Sequence, residues 1–140
     1  MLKVLARWWA KLSYLWTLET EASKSDINAA VAKRNAAEKR KLVEQLNAEA
    51  DAIDANITQV EAEEEVRKSA PEYQKLTKQE QYDDQQASKK EKGAALQMAA
   101  EKRNLAKQEA ENVSNSEQTA QALRGMAQNS RAFADKIRQL

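Results

Sequence analysis

The chain has no cysteine and no histidine. Without cysteine there is no disulfide framework and no thiol nucleophile. Without either residue, the usual zinc ligands and the commonest general base are missing as well. Two glycines and one proline in 140 residues leave few sites for tight turns, and aromatics at 5% leave little material for β-sheets. There is no glycine-rich phosphate loop, no EF-hand spacing and no G-x-S-x-G. Large apolar residues are sparse beyond residue 18, so a thick globular core is not expected.

Charged residues make up 32% of the chain, and Ala, Glu, Lys, Gln and Arg, all strong helix formers, dominate it. This composition predicts an all-α fold: an N-terminal amphipathic helix followed by a long antiparallel helical hairpin or coiled coil, elongated and oligomeric. Five segments are expected. Residues 1–18 form a membrane- or partner-binding helix, 19–26 a joint, and 27–68 a first coiled-coil helix. Residues 69–93 form a polar turn region or exposed helix, and 94–140 a second coiled-coil helix.

Residues 1–18, MLKVLARWWAKLSYLWTL, hold all three tryptophans and no acid, whereas the remainder holds all 22 acids. Wrapped at 100° per residue, Leu2, Leu5, Trp8, Trp9, Leu12, Leu15 and Trp16 share one arc, with Val4 at its edge. Lys3, Arg7 and Lys11 form a basic stripe on the other side, at i, i+4 spacing. Each base at the centre of a spanning helix would cost roughly 2.5–3.5 kcal/mol. Lying flat, the same base gains about 1 kcal/mol from anionic lipid. An interfacial helix is therefore expected rather than a spanning one. Arg7 and Lys11 also interrupt what would be the apolar core of a cleavable leader.

The segment 19–26, ETEASKSD, is polar, and Ser23 to Asp26 has capping-box-like spacing. A change of direction is placed here, with an unbroken helix from 1 to 68 as the alternative. Residues 27–68 carry a heptad seam: Ala29, Ala36, Val43, Ala50 and Ile57 in one set, and Ala32, Leu46, Ile53 and Val60 in the other. Lys39 is the exception in the second set. Glu63 with Arg67, and Glu64 with Lys68, have the spacing of local ion pairs. Ser69-Ala70-Pro71-Glu72 reads as a helix start, and Gly93 as a helix end. In 94–140, Leu96, Ala99, Ala106, Ala110 and Val113 fit heptad spacing, broken by Arg103. Leu123, Ala127, Ala134 and Ile137 continue it after a register shift, with Met126, Phe133 and Leu140 alongside. The expected coiled-coil interface is Val43, Leu46, Ile53, Ile57, Val60, Leu123, Met126, Phe133 and Ile137.

Without histidine or cysteine, only carboxylates such as Glu63-Glu64-Glu65 and Asp83-Asp84 remain for catalysis, and both groups read as solvated surface. No enzymatic activity, cofactor, metal or small-molecule substrate is expected. Basic clusters at Lys33-Arg34, Lys39-Arg40-Lys41, Lys89-Lys90-Lys92 and Lys102-Arg103 are interleaved with acids, which disfavours nucleic acid as a partner.

In plan, an amphipathic N-terminal helix followed by long alanine- and charge-rich helices resembles membrane-remodelling polymers of the phage-shock/ESCRT-III type. That likeness is one of organisation and carries no site residue. The reading is of a non-enzymatic, self-assembling, membrane-associated structural protein. Its expected partners are an anionic membrane surface and further copies of itself, and its expected place is peripheral, on the cytoplasmic face of a membrane. One alternative is a virion or secretion-machine component, such as a phage internal or ejection protein, forming a helical tube or ring. Another is an adaptor presenting residues 1–18 to a partner groove.

Overall fold

The computed structural model describes residues 1–140 and contains no strand. Helix α1 spans Leu2–Lys68, α2 is a single turn at Pro71–Gln74, and α3 spans Lys78–Gln139. One long helix packs against the other as a helical hairpin.

No glycine or proline interrupts α1, and its buried positions keep one phase. Leu15, Leu18, Ala22, Ser25, Ala29, Ala32 and Ala36 are buried or half-buried at alternating three- and four-residue steps. The expected joint at 19–26 is therefore continuous helix. Capping residues there find no helix end to cap, and the heptad runs through the segment in register.

Residues form two packing units. In the first, 1–40 with 111–140, the buried side chains of α1 are Leu18, Ala22, Ala29 and Ala36. Those of α3 are Val113, Ala120, Ala127 and Ala134. Ion pairs Glu19–Arg138, Asp26–Arg131 and Arg40–Glu117 fix an antiparallel register. That register sets Ala29 level with Ala127 and Ala36 level with Ala120, so small side chains meet small side chains and the backbones approach closely. In the second unit, 41–110, Leu46, Ala50 and Ile57 are buried on α1, and Ala99 and Ala106 on α3. Lys102 pairs with Glu49 at 2.6 Å, and Arg103 bridges Asp51 and Asp54.

The α3 seam differs from the expected one. Ala95, Ala99, Lys102, Ala106, Glu109, Val113, Ser116, Ala120, Leu123, Ala127, Ser130, Ala134 and Ile137 follow one unbroken heptad, with no register shift. Leu96 and Ala110 face solvent instead. Arg103 breaks nothing, because it lies beside the seam and bonds two aspartates of α1. Gly93 lies inside α3 and is exposed, with open space where a Cβ would be. A mid-helix glycine costs only about 1 kcal/mol relative to alanine, which the surrounding helix absorbs.

The connection also departs from the sequence reading. Ser69 does not cap α2; its hydroxyl donates back to the Val66 carbonyl at 2.7 Å. The capping box is Thr77-Lys78-Gln79-Glu80 at the start of α3. There the Glu80 amide donates to Thr77 Oγ1, and the Thr77 amide donates to Glu80 Oε2, both at 3.2 Å. Such a cap contributes about 1 kcal/mol. Gln81 Nε2 donates to the Tyr73 and Leu76 carbonyls, tying the connection to α3.

The local pairs expected at the end of α1 give way to cross-helix ones. Arg67 bonds Asp84 at 2.6 Å and lies over the Tyr73 ring, while Glu64 accepts from Lys92 at 2.6 Å and from Ser88. Asp84, expected in solvent, is half-buried by its pair. Hydrogen bonds from Lys92 and Ser88 hold the Glu64 carboxyl below its ordinary 4.5, and bonds from Lys102 and Gln45 do the same for Glu49. The Glu64 hydrogen bond raises Lys92 above 10.5.

A carboxyl depressed in the folded state stabilises above its unfolded pKa, and that contribution is lost as pH falls through the folded value. A raised lysine stabilises below its unfolded pKa and loses its contribution only as pH rises through the folded one, in the alkaline range. Urea midpoints should therefore be level near neutrality and fall on acidification below about pH 4.5. Glu64→Gln should lower the midpoint at pH 7 and flatten part of the acid limb. An unchanged acid limb would exclude Glu64 as a contributor.

Candidate functional site

Residues 2–16 of α1 form the surface. Alanine, leucine, lysine and arginine favour helix here, and the Met1 carbonyl accepts from the Val4 and Leu5 amides at 3.1 and 3.2 Å to close the first turn. Further on, the Thr17 and Thr20 hydroxyls bond the Ser13 and Trp16 carbonyls, so these polar groups are satisfied within the helix.

The geometry follows from where α3 ends. Glu19 pairs with Arg138, and the Tyr14 ring meets Phe133 edge-on at 6.1 Å. The last turns of α3 therefore lie beside residues 14–19, and the earlier turns of α1 run beyond them. Every residue from 1 to 10 is exposed. Trp8, Trp9 and Trp16 are 56%, 67% and 70% exposed, and Leu2, Leu5 and Leu12 are exposed beside them.

Two apolar columns make up the face. Leu2, Leu5, Trp9, Leu12 and Trp16 follow one another at three- and four-residue steps. Val4 and Trp8 lie next to them, in phase with the hairpin seam that Leu15 and Leu18 enter. Trp8 and Trp9 touch edge to face, with centroids 6.5 Å apart. Leu15 belongs partly to the hairpin, since it is half-buried, and Leu18 is buried outright. The sequence reading missed this anchoring role for Leu18. Extending the set of Ala32 backwards by two repeats, through Ser25, identifies it.

Lys3 and Arg7 are exposed and Lys11 is half-buried at the border of the face, beside Leu15. No carboxylate lies within the first 18 residues, and none of the three bases forms an ion pair. Seven basic residues of the hairpin contrast with this, although others, such as Lys24, Lys33 and Lys136, form no ion pair either. Arg40, Arg67, Lys92, Lys102, Arg103, Arg131 and Arg138 all hold acids across the helices. Cationic charge without a partner, next to exposed indoles, is thus confined to the N-terminal turns.

Of the expected coiled-coil interface, Val43, Leu46, Ile53, Ile57, Val60, Leu123 and Ile137 are buried or half-buried in the hairpin seam. Met126 and Phe133 lie outside it, 59% and 48% exposed, on the flank of α3. They precede seam residues Ala127 and Ala134 by one position, which turns each side chain out by 100°. No cluster of acids has the arrangement of a metal site. Compared with known proteins, the chain matches no family model, no curated protein and no solved structure.

Proposed function

We propose that the protein is a non-enzymatic structural protein that binds anionic membrane surfaces through residues 2–16 and associates with further copies through its helical body. One observation carries the reading: six large apolar side chains, three of them indoles, stand exposed on one face of a helix beside unpaired cations. Exposing them to water forgoes roughly 1.5–3 kcal/mol for each side chain that a partner would bury. On the order of 10 kcal/mol is therefore available to whatever covers them.

A lipid interface fits both halves of this surface. Tryptophan and leucine enter the headgroup–acyl boundary, where the indole N–H still finds water or a phosphate. Lys3 and Arg7 meet anionic headgroups from the polar flank. No helix of the chain is long and apolar enough to cross a membrane. A flat helix contributes modest affinity, and several of them on one assembly multiply it through avidity.

Flotation with anionic vesicles tests the proposal. The full chain should rise with the vesicles and a chain lacking residues 1–18 should stay at the bottom. Equal flotation of both, or none by either, contradicts it.

A further inference from the structure

We propose that the lipid-facing surface continues past Trp16 along the outer side of α1 as far as Arg34, so that α1 lies against an anionic bilayer and the adjoining turns of α3 are held on its far side. This surface presupposes the membrane reading above and extends it to a stretch of helix that the hairpin itself contains.

The helix sets the strip. From Leu2, Leu5, Trp9, Leu12 and Trp16 the three- and four-residue steps run on through Thr20, Ser23, Ile27, Val31 and Arg34. Their mean is about 3.6 residues, the turn of a straight α-helix, so these side chains keep to one side for roughly 48 Å. No glycine or proline lies within α1, and a kink has nothing to form on. A bilayer that receives residues 2–16 lengthwise therefore meets Ile27 and Val31 as well.

The chemistry agrees with the position. Ile27 and Val31 are 63% and 53% exposed. Ile27 stands two residues from each of the seam positions Ser25 and Ala29, which turns it directly away from α3. Packing within the hairpin does not account for these two β-branched residues, and both are poorer helix formers than the alanines around them. Burial against lipid accounts for both. Charge selects an anionic surface. Of the acids between residues 2 and 34, Glu19 and Asp26 hold Arg138 and Arg131 of α3, and Glu21 is turned well away from the strip. Lys24, one heptad before Val31 and in the same column, forms no ion pair and gives the strip a cationic border. The first acid on the strip is Glu38, which Arg34 holds at 3.4 Å, and the surface ends there.

Because the chain has no cysteine, single cysteines carrying an environment-sensitive fluorophore test this on the full-length protein. One site is Ile27→Cys. The other is Ala132→Cys, two residues from the seam positions Ser130 and Ala134 and so on the outer side of α3. On vesicles of phosphatidylglycerol and phosphatidylcholine the label at 27 should shift to shorter wavelength and escape iodide, while the label at 132 stays in water. Ile27→Ser with Val31→Ser should weaken vesicle binding at least about tenfold with helicity unchanged. Met126→Ser with Phe133→Ser, an apolar pair elsewhere in the same packing unit, should bind as wild type. A label at 27 that stays in water on vesicle-bound protein, a label at 132 that enters the lipid, or binding indifferent to the Ile27 and Val31 exchange would each overturn the proposal. In those three cases wild type still floats with the vesicles and the membrane reading stands; loss of flotation by wild type removes both.

Discussion

Exchange of Trp8, Trp9 and Trp16 for serine should reduce binding to anionic vesicles by a factor of a thousand or more. The three rings are 56%, 67% and 70% exposed, so each has most of its surface left to bury. At roughly 1.5–3 kcal/mol per ring the combined loss exceeds 4 kcal/mol, and each 1.4 kcal/mol is a factor of ten. The fold should be indifferent to the change, because the hairpin begins to bury side chains at Leu15 and Leu18. Thermal melting should therefore be unchanged within about a degree. Exchange of Lys3, Arg7 and Lys11 for glutamine should cost less, about 1 kcal/mol each, and its effect should shrink as salt rises. A serine variant that binds as wild type would place the binding energy elsewhere in the chain.

The second large effect concerns the body. Leu46 and Leu42 are the same residue type one turn apart on α1, but Leu46 is 8% exposed and Leu42 is 40% exposed. Leu46→Ala should cost about 2–3 kcal/mol by loss of transfer energy and creation of a void. Leu42→Ala should cost well under half of that. The hairpin has few large seam residues to share the load, so Leu46→Ala should lower the melting temperature by several degrees. Equal effects of the two substitutions would mean that the seam does not run where the heptad places it.

How much of this was legible in the sequence depends on residue size. The α1 seam from Ala29 to Val60 was readable, because Val43, Leu46, Ile53 and Ile57 mark the three-four pattern with large side chains. The α3 seam was readable only in part: Ala99, Ala106, Val113, Leu123, Ala127, Ala134 and Ile137 lie where the heptad places them, but the single register was not readable, because Ala95, Lys102, Glu109, Ser116 and Ser130 give little hydrophobic signal. The larger Leu96, Met126 and Phe133 drew the register towards themselves although they face outwards. Small residues define this packing by what they allow, a close approach of backbones, and a hydropathy pattern does not register that.

Tertiary competition explains the misread polar contacts. Glu64 was within reach of Lys68 on its own helix, yet it takes Lys92 of α3, which brings with it the Ser88 hydroxyl. The capping signal at Thr77-Lys78-Gln79-Glu80 was present in the sequence and was overshadowed by the Pro71 motif six residues earlier. For the candidate surface, composition sufficed. Residues 2–16 were recognisable because their apolar arc and their bases have no counterpart elsewhere in the chain. The division of labour at Leu15 and Leu18 was not readable, since it depends on where α3 ends.

All three tryptophans lie within the first 16 residues, so tryptophan fluorescence, excited where tyrosine does not absorb, reports on that segment alone. Emission recorded while anionic vesicles are added to the full-length protein is the most direct measurement. The emission maximum should shift to shorter wavelength, and lipids labelled at shallow acyl depth should quench it. An unshifted spectrum at saturating lipid, with the indoles still quenched by iodide in solution, would contradict it.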